Sequence, residues 1–352
     1  FGDVATAKKE LDIEEANNWV ELYTQANKSQ IIKLVSAKVK DKKLPCSDSL
    51  VAHYRSDGEK VVISSSKETR VCLIADESDN ENHLVQASVL KMPLLEKSSL
   101  RELTSLCFSN NQETILKSVK KIKLEQPIVT WSIVFQLSTE YVESMKNLSS
   151  ESPAVLFRSK VSGNPSFYGT FLELKENNCT LKSNCRINKK VYKGLNIYNI
   201  KPGKLYVLTN IWDGKSGIFA SVLNGKFQSV SLDAIYQEEF NQDIIAIGGN
   251  PNNFYFFNGN FFELVIYNKA LSINDAKLLQ LHLLEKWHGE KITTIQSSCL
   301  TNEEIENIIN DDSHKYGNFP NSFLVSNLIP SANTNFYTAN QIKIGHIKAF
   351  FV

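Results

Sequence analysis

From Pro45 onward the chain is heavily punctuated. Short apolar runs ("SLVAHY", "KVVIS", "RVCLIA", "PIVTWSIVFQL", "AVLFRSK", "YGTFLEL", "KLYVLTNIW", "GIFASVL", "DIIAIGG" and "NFFELVIYN") alternate with "SDGEK", "SGNPS", "KPGK", "WDGKSG", "LNGK" and "GNPNN". Each run has the length of a strand, and each is bounded by Gly, Pro, Asn, Asp or Ser, the residues that turns require. Many strands so bounded predict an antiparallel β-sandwich or jelly roll. Within "VTWSIVFQL", period-two alternation sends Val129, Trp131, Ile133 and Phe135 one way and Thr130, Ser132 and Val134 the other. "VLNGKF" predicts a hairpin, with Asn224-Gly225 supplying the positive φ angles of its turn.

Helical patterns flank this region. Residues 5–40 lack Gly and Pro, and Ala16, Trp19, Val20 and Tyr23 recur at helical spacing. A second helix is predicted over 272–288. Ser272 and Asp275 form an S-x-x-D cap, Ala276, Leu279, Leu283 and Trp287 form the apolar stripe, and Gly289 ends it. Residues 290–352 read as an extension with a short capped helix at "TNEEIENIIN" and one more strand at "IKIGHIKAFFV". The expected organisation is a helical extension at 1–45, a sandwich at 46–289 and an extension at 290–352 wrapping it.

The formal net charge of +1 argues against nucleic acid or an anionic membrane as a partner, because both require a concentrated positive field. Lys117, Lys120, Lys121 and Lys123 form a local basic group that reads as a solvated face. No apolar run approaches the roughly 18–20 residues of a membrane span, so no transmembrane segment is expected. The first residues carry no apolar leader, which in a chain beginning at Phe1 leaves secretion open. Asn27, Asn147 and Asn178 begin N-x-S/T sequons, as in secreted chains. The excess of lysine over arginine and the abundance of asparagine fit an AT-rich genome, such as that of an apicomplexan parasite, a phage or a bacterium.

Six cysteines are present, at 46, 72, 107, 179, 185 and 299. In "NNCTLKSNC" the short spacing of Cys179 and Cys185 suggests a disulfide across a hairpin, free buried thiols being the alternative. Connectivity for Cys46, Cys72, Cys107 and Cys299 stays open, and none of the six has zinc-site spacing.

"SLVAHYRSDG" (49–58), "VCLIADESDNENHLVQAS" (71–88) and "MPLL" (92–95), together with "NFFELVIYNKALSINDAKLLQLHLLEKWHG" (260–289), resemble the opening and closing patterns of the laminin-G-like, concanavalin A-like family. The resemblance brackets 46–289 and implies two facing antiparallel sheets, with binding or scaffolding more often than catalysis. Asp79 stands where the family's turn carries glycine.

Four stretches are candidate sites. In "ELDIEE", Glu10, Asp12 and Glu15 match the E-x-D-x-x-E spacing of jelly-roll glucanases. Those enzymes need the carboxylates on one strand face, whereas here the surroundings are helical, and on a helix Glu10 and Asp12 lie about 200° apart. A solvated acidic face balanced by Lys8 and Lys9 fits better. "DESDNENH" offers Asp76, Asp79, Asn80, Asn82 and His83, either as a Ca2+ site of the laminin-G kind or as side chains capping their own turn. Trp212 and Asp213 in "IWDGKSG" suggest a sugar contact at a sheet rim; a core Trp followed by a D-G turn is the alternative. The aromatic group 253–262 reads as mostly core, with one or two members surfacing at a tip. No P-loop lysine and no G-x-S-x-G elbow occur, and His282 reads as a packed or surface residue. The expected function is a non-enzymatic binding or structural module of a secreted or cell-periphery protein, engaging a protein partner or a glycan. A calcium-dependent lectin is the alternative, and a glycoside hydrolase ranks last.

Overall fold

The computed structural model describes residues 44–288 and the strands Ile342–Ile344 and Ile347–Ala349. Within 44–288 some loop stretches are not described, the longest being 141–151, 233–239, 161–166 and 98–103. The helix expected over 5–40, the "ELDIEE" carboxylates, the capped helix at 301–310 and Cys299 lie outside the described residues.

Two antiparallel sheets form a sandwich. The eight-stranded sheet runs β17 (Lys226–Leu232), β16 (Ile218–Leu223), β15 (Leu205–Asp213), β9 (Ile128–Leu137), β20 (Gly259–Tyr267), β6 (Thr104–Phe108) and β5 (Leu94–Lys97). Its eighth strand, β1 (Leu50–Arg55), pairs with the second half of β20. The ten-stranded sheet runs β13 (Lys190–Tyr192), β12 (Asn178–Ile187), β11 (Phe167–Lys175), β10 (Ser152–Lys160), β19 (Ile244–Ile247), β7 (Leu116–Ser118), β4 (Leu84–Val85), β3 (Val71–Ile74) and β2 (Val61–Ile63). Its tenth strand, β14 (Asn196–Ile197), pairs with β12. Two small pairs complete the set: β8 (Lys123–Leu124) with β18 (Phe240–Asn241), and β21 (Ile342–Ile344) with β22 (Ile347–Ala349). The last pair replaces the single strand expected there.

The alternation read in "VTWSIVFQL" holds. Val129, Trp131, Ile133 and Phe135 join the core between the sheets. Trp131 is its centre. Its ring centroid lies 5.1 Å from Tyr168, 5.7 Å from Phe219 and 6.5 Å from Phe157, and its Nε1 donates to Thr170 Oγ1 at 3.0 Å. The opposite residues of β9 are also buried, because the helix α1 (Ile273–His288) covers that face. Val134, Val207, Ile211, Ala220, Val222 and Val265 meet Ala276, Leu279, Leu283 and Trp287 of the helix in a second core. The expected cap is present: Asp275 N donates to Ser272 Oγ at 3.0 Å, and Ser272 Oγ donates back to the Asp275 carboxylate at 2.8 Å. Asn224 and Gly225 sit at φ 47° and 76° between β16 and β17, as the hairpin required. Gln280 of α1 plugs this hairpin. Its Nε2 donates to Val207 O, Thr209 Oγ1 and Val222 O, and its Oε1 accepts from Gly225 N.

Candidate functional site

Cys179 and Cys185 both lie on β12, which runs unbroken from Asn178 to Ile187. Six residues along one strand span roughly 20 Å, far beyond the reach of a disulfide. Both are thiols facing the inter-sheet core, and Cys46, Cys72 and Cys107 are likewise not in disulfides. The expected bridge is therefore corrected: the hairpin read from "NNCTLKSNC" is continuous strand. Burial pushes the Cys179 thiol up to about 12, and burial with Glu96 beside it pushes Cys107 up to about 11.

Trp212 is 2% exposed and belongs to the inter-sheet core, so its ring offers no face to a sugar. Asp213 is buried and accepts from Lys215 N and Ser216 N, closing the D-G turn. The sugar contact expected at these two residues is corrected on that ground.

The carboxylate of Asp76 is spent on three backbone N–H groups and one hydroxyl. Its Oδ1 accepts from His53 N and Ser78 N, both at 2.9 Å; its Oδ2 accepts from Ser78 Oγ at 2.9 Å and Asn82 N at 3.0 Å. His83 Nδ1 accepts from Asp76 N, and Asn80 Nδ2 donates to Val51 O. The loop thus ties β1 to the strand before it; of the three proposed ligands Asp76 is buried, while Asp79 and Asn80 are exposed, Asn80 with its amide turned back to Val51 O. Among the described residues no group of three or more His, Cys, Asp or Glu side chains is arranged to hold a metal ion.

The densest chemistry lies elsewhere, at the end of α1. Glu263 on β20 is a hub. Its Oε1 lies 2.6 Å from His53 Nε2 of β1, while its Oε2 accepts from Lys286 Nζ at 2.8 Å and Trp287 Nε1 at 2.7 Å. Lys286 also reaches Asp57 Oδ1 at 3.3 Å and stands 4.7 Å from the centroid of the Trp287 ring. Arg55 holds Asp57 through Nε and Nη2 at 3.0 and 3.2 Å, and Glu77 through Nη1 at 3.1 Å. Burial works to raise the Glu263 pKa, but Lys286, then His53 and Arg55, outweigh it and hold this carboxyl well below the usual range. A β-bulge between Phe261 and Glu263 makes the hub possible: it lets the consecutive residues Phe262 and Glu263 both address Trp287.

Asp57 and Glu263 share one lysine, whose Nζ lies 3.3 Å from Asp57 Oδ1 and 2.8 Å from Glu263 Oε2, an acid pair of the kind a glycosidase also uses. Their side chains are 5% and 1% exposed, however, and Lys286 and Trp287 occupy the space between and above them. The geometry serves as a clamp for the helix.

On the other side of the molecule, one cross-strand row traverses the outward face of the ten-stranded sheet. Val62, Leu73, Val85, Lys117, Ala246, Arg158, Gly169 and Asn184 are successive neighbours in it. The Arg158 guanidinium stands 5.9 Å from the ring centroid of Phe171, and Lys182 pairs with Glu173. Of the aromatic group 253–262, Phe257, Phe261 and Phe262 are core and Tyr255 surfaces, 46% exposed.

No protein-family model matches the chain, and no curated protein matches it. Solved structures similar to it include the binding domain of botulinum neurotoxin serotype D, with 12% identity, a TM-score of 0.45, and coverage of 66% of this chain and 52% of that one. The receptor-binding domain of the mosaic serotype C/D gives 12%, 0.46, 66% and 51%. The serotype D ligand-binding domain in complex with N-acetylneuraminic acid gives 12%, 0.43, 66% and 51%. The chain spans about half the length of these proteins.

Proposed function

We propose that this chain is a non-enzymatic binding module of a secreted or cell-periphery protein, engaging a protein partner or a glycan through the sandwich. One observation carries the reading: each buried carboxylate among the described residues is committed to holding structure. Glu263 and Asp57 clamp α1, Asp76 caps its loop, and Asp213 closes its turn. Acid–base work on a substrate needs such a group facing an open site. The helix covers one sheet, and the outward face of the other carries the mixed charged and apolar row described above, half-buried except at Ala246 and Gly169, which are buried; the mixture suits a recognition surface. The laminin-G-like patterns at 49–95 and 260–289 support the same reading. Within it, the lysine and asparagine bias fits a concavin-type protein of malaria parasites.

The test combines a glycan array, run with and without a calcium chelator, with affinity capture of protein partners and an assay for released reducing sugar. Binding without turnover is expected. Turnover of any bound oligosaccharide sinks the reading, and chelator-sensitive binding would assign calcium to residues 76–83.

A further inference from the structure

No charged residue occurs between Asp243 and Glu263. This neutral stretch contains β19 and the start of β20, which belong to opposite sheets, so its middle crosses the rim of the sandwich. The crossing is firmly built. Asn250 organises the turn, its carbonyl accepting from Asn253 N and its Oδ1 from Asn252 N. Phe257 N donates to Gly248 O, and Val155 N donates to Tyr255 O. Gly248, at φ 84°, lies against Phe108, whose ring carbon would be 2.0 Å from any added Cβ.

On this rigid base Tyr255 stands exposed, with φ at 59°. A bulky residue in the left-handed region is strained, and such strain persists where the surroundings enforce it, often at ligand-contacting positions. Asn252 and Asn253 beside it are exposed. A second amide-rich turn joins them through Asn258 Nδ2, which donates to Asn110 Oδ1 at 3.2 Å; Asn111 and Gln112 of that turn are exposed. Beneath the tip, Asn250 is 2% exposed and its Nδ2 has no hydrogen-bond partner, an unspent donor in a place where donors are normally satisfied.

We propose that this rim binds an uncharged, hydroxyl-rich ligand, a neutral oligosaccharide, with Tyr255 as the stacking ring and the amides of Asn252, Asn253 and Asn111 meeting its hydroxyls. The inference rests on the binding-module reading and narrows it. An aromatic ring takes the C–H face of a pyranose, and a carboxamide offers a donor and an acceptor side by side, matching vicinal hydroxyls. Residues 244–262 carry no charge, and at the second turn Lys91 is paired with Glu113 at 2.7 Å and Arg70 Nη1 donates to Gln112 Oε1, so neither turn favours an anionic sugar.

The full chain and its variants Tyr255→Gly and Tyr255→Phe are applied to an array of neutral, sialylated and sulfated oligosaccharides. Glycine suits the left-handed backbone, so Tyr255→Gly keeps or raises the melting temperature while removing the ring. Binding to neutral glycans is expected, weakened by roughly tenfold or more in Tyr255→Gly and retained in Tyr255→Phe. Neutral binding indifferent to Tyr255→Gly overturns the site and leaves the module reading intact. Binding confined to anionic sugars, or an empty array beside a captured protein, overturns the ligand class. Hydrolysis of the glycans would overturn the module reading instead.

Discussion

The two cores of this molecule are closed by different physics. The one between the sheets is shut by shape: Trp131 sits among Phe157, Tyr168 and Phe219, with its one polar atom satisfied by Thr170. The one under α1 is shut by shape along most of the helix and by charge at its end, where Glu263 gathers His53, Lys286 and Trp287. An apolar core tolerates loss in proportion to the volume removed. A buried ion cluster behaves otherwise, because removing one member strands the others without water or partner.

That contrast can be broken most forcefully at its two centres. Trp131→Ala should cost about 3–5 kcal/mol in urea unfolding, with Trp131→Phe recovering a large part. Glu263→Ala should also cost about 3–5 kcal/mol, despite removing far less apolar surface. A Glu263→Ala loss below that of an ordinary surface substitution would mean that charge does not close the second core.

A smaller effect sharpens the difference through pH. A carboxyl held well below its ordinary range contributes stability that is complete above the unfolded pKa of ~4.3 and is lost as pH falls from there through the folded value. Urea midpoints for the wild type and Glu263→Gln should therefore converge on acidification below ~4.3, whereas Trp131→Phe keeps a constant gap. Parallel acid limbs for wild type and Glu263→Gln would remove Glu263 from the account. The smallest expected effect is none at all. Dithiothreitol should leave the melting temperature unchanged, and Cys179 and Cys185 should resist alkylation until the chain unfolds, since no bridge joins them and burial keeps them as thiols.

The first core was open to reading because its rule is local. Alternation in "VTWSIVFQL", the Asn224-Gly225 turn and the Ser272–Asp275 cap are each settled within a few neighbours along the chain. The clamp has no such signature. His53 and Glu263 are 210 residues apart, and strict alternation through "FFELVIY" puts Glu263 on the same face as Phe261; the bulge that moves it is invisible in composition. Trp212 and Asp213 show the opposite failure. An aromatic beside a carboxylate at a turn reads as a ligand contact, yet β15 is buried on both faces because α1 covers the sheet, so the Trp had no surface to reach. Tyr255 was foreseen only as one unspecified member of an aromatic group, since which ring surfaces depends on the left-handed backbone at that residue.

β1 lies directly beside the second half of β20, with Leu50 opposite Tyr267 and Arg55 opposite Glu263. The helix α1 then returns along β20, so the described domain begins with Cys46 beside Asp275, at the start of α1, and ends past Trp287, beside Glu263 at its far end. The helix is thus a strut between the point where the chain enters and the point where it leaves, about 20 Å apart at the helical rise per residue. A pull between those two points would run along the axis of α1 and fall first on the Glu263 clamp.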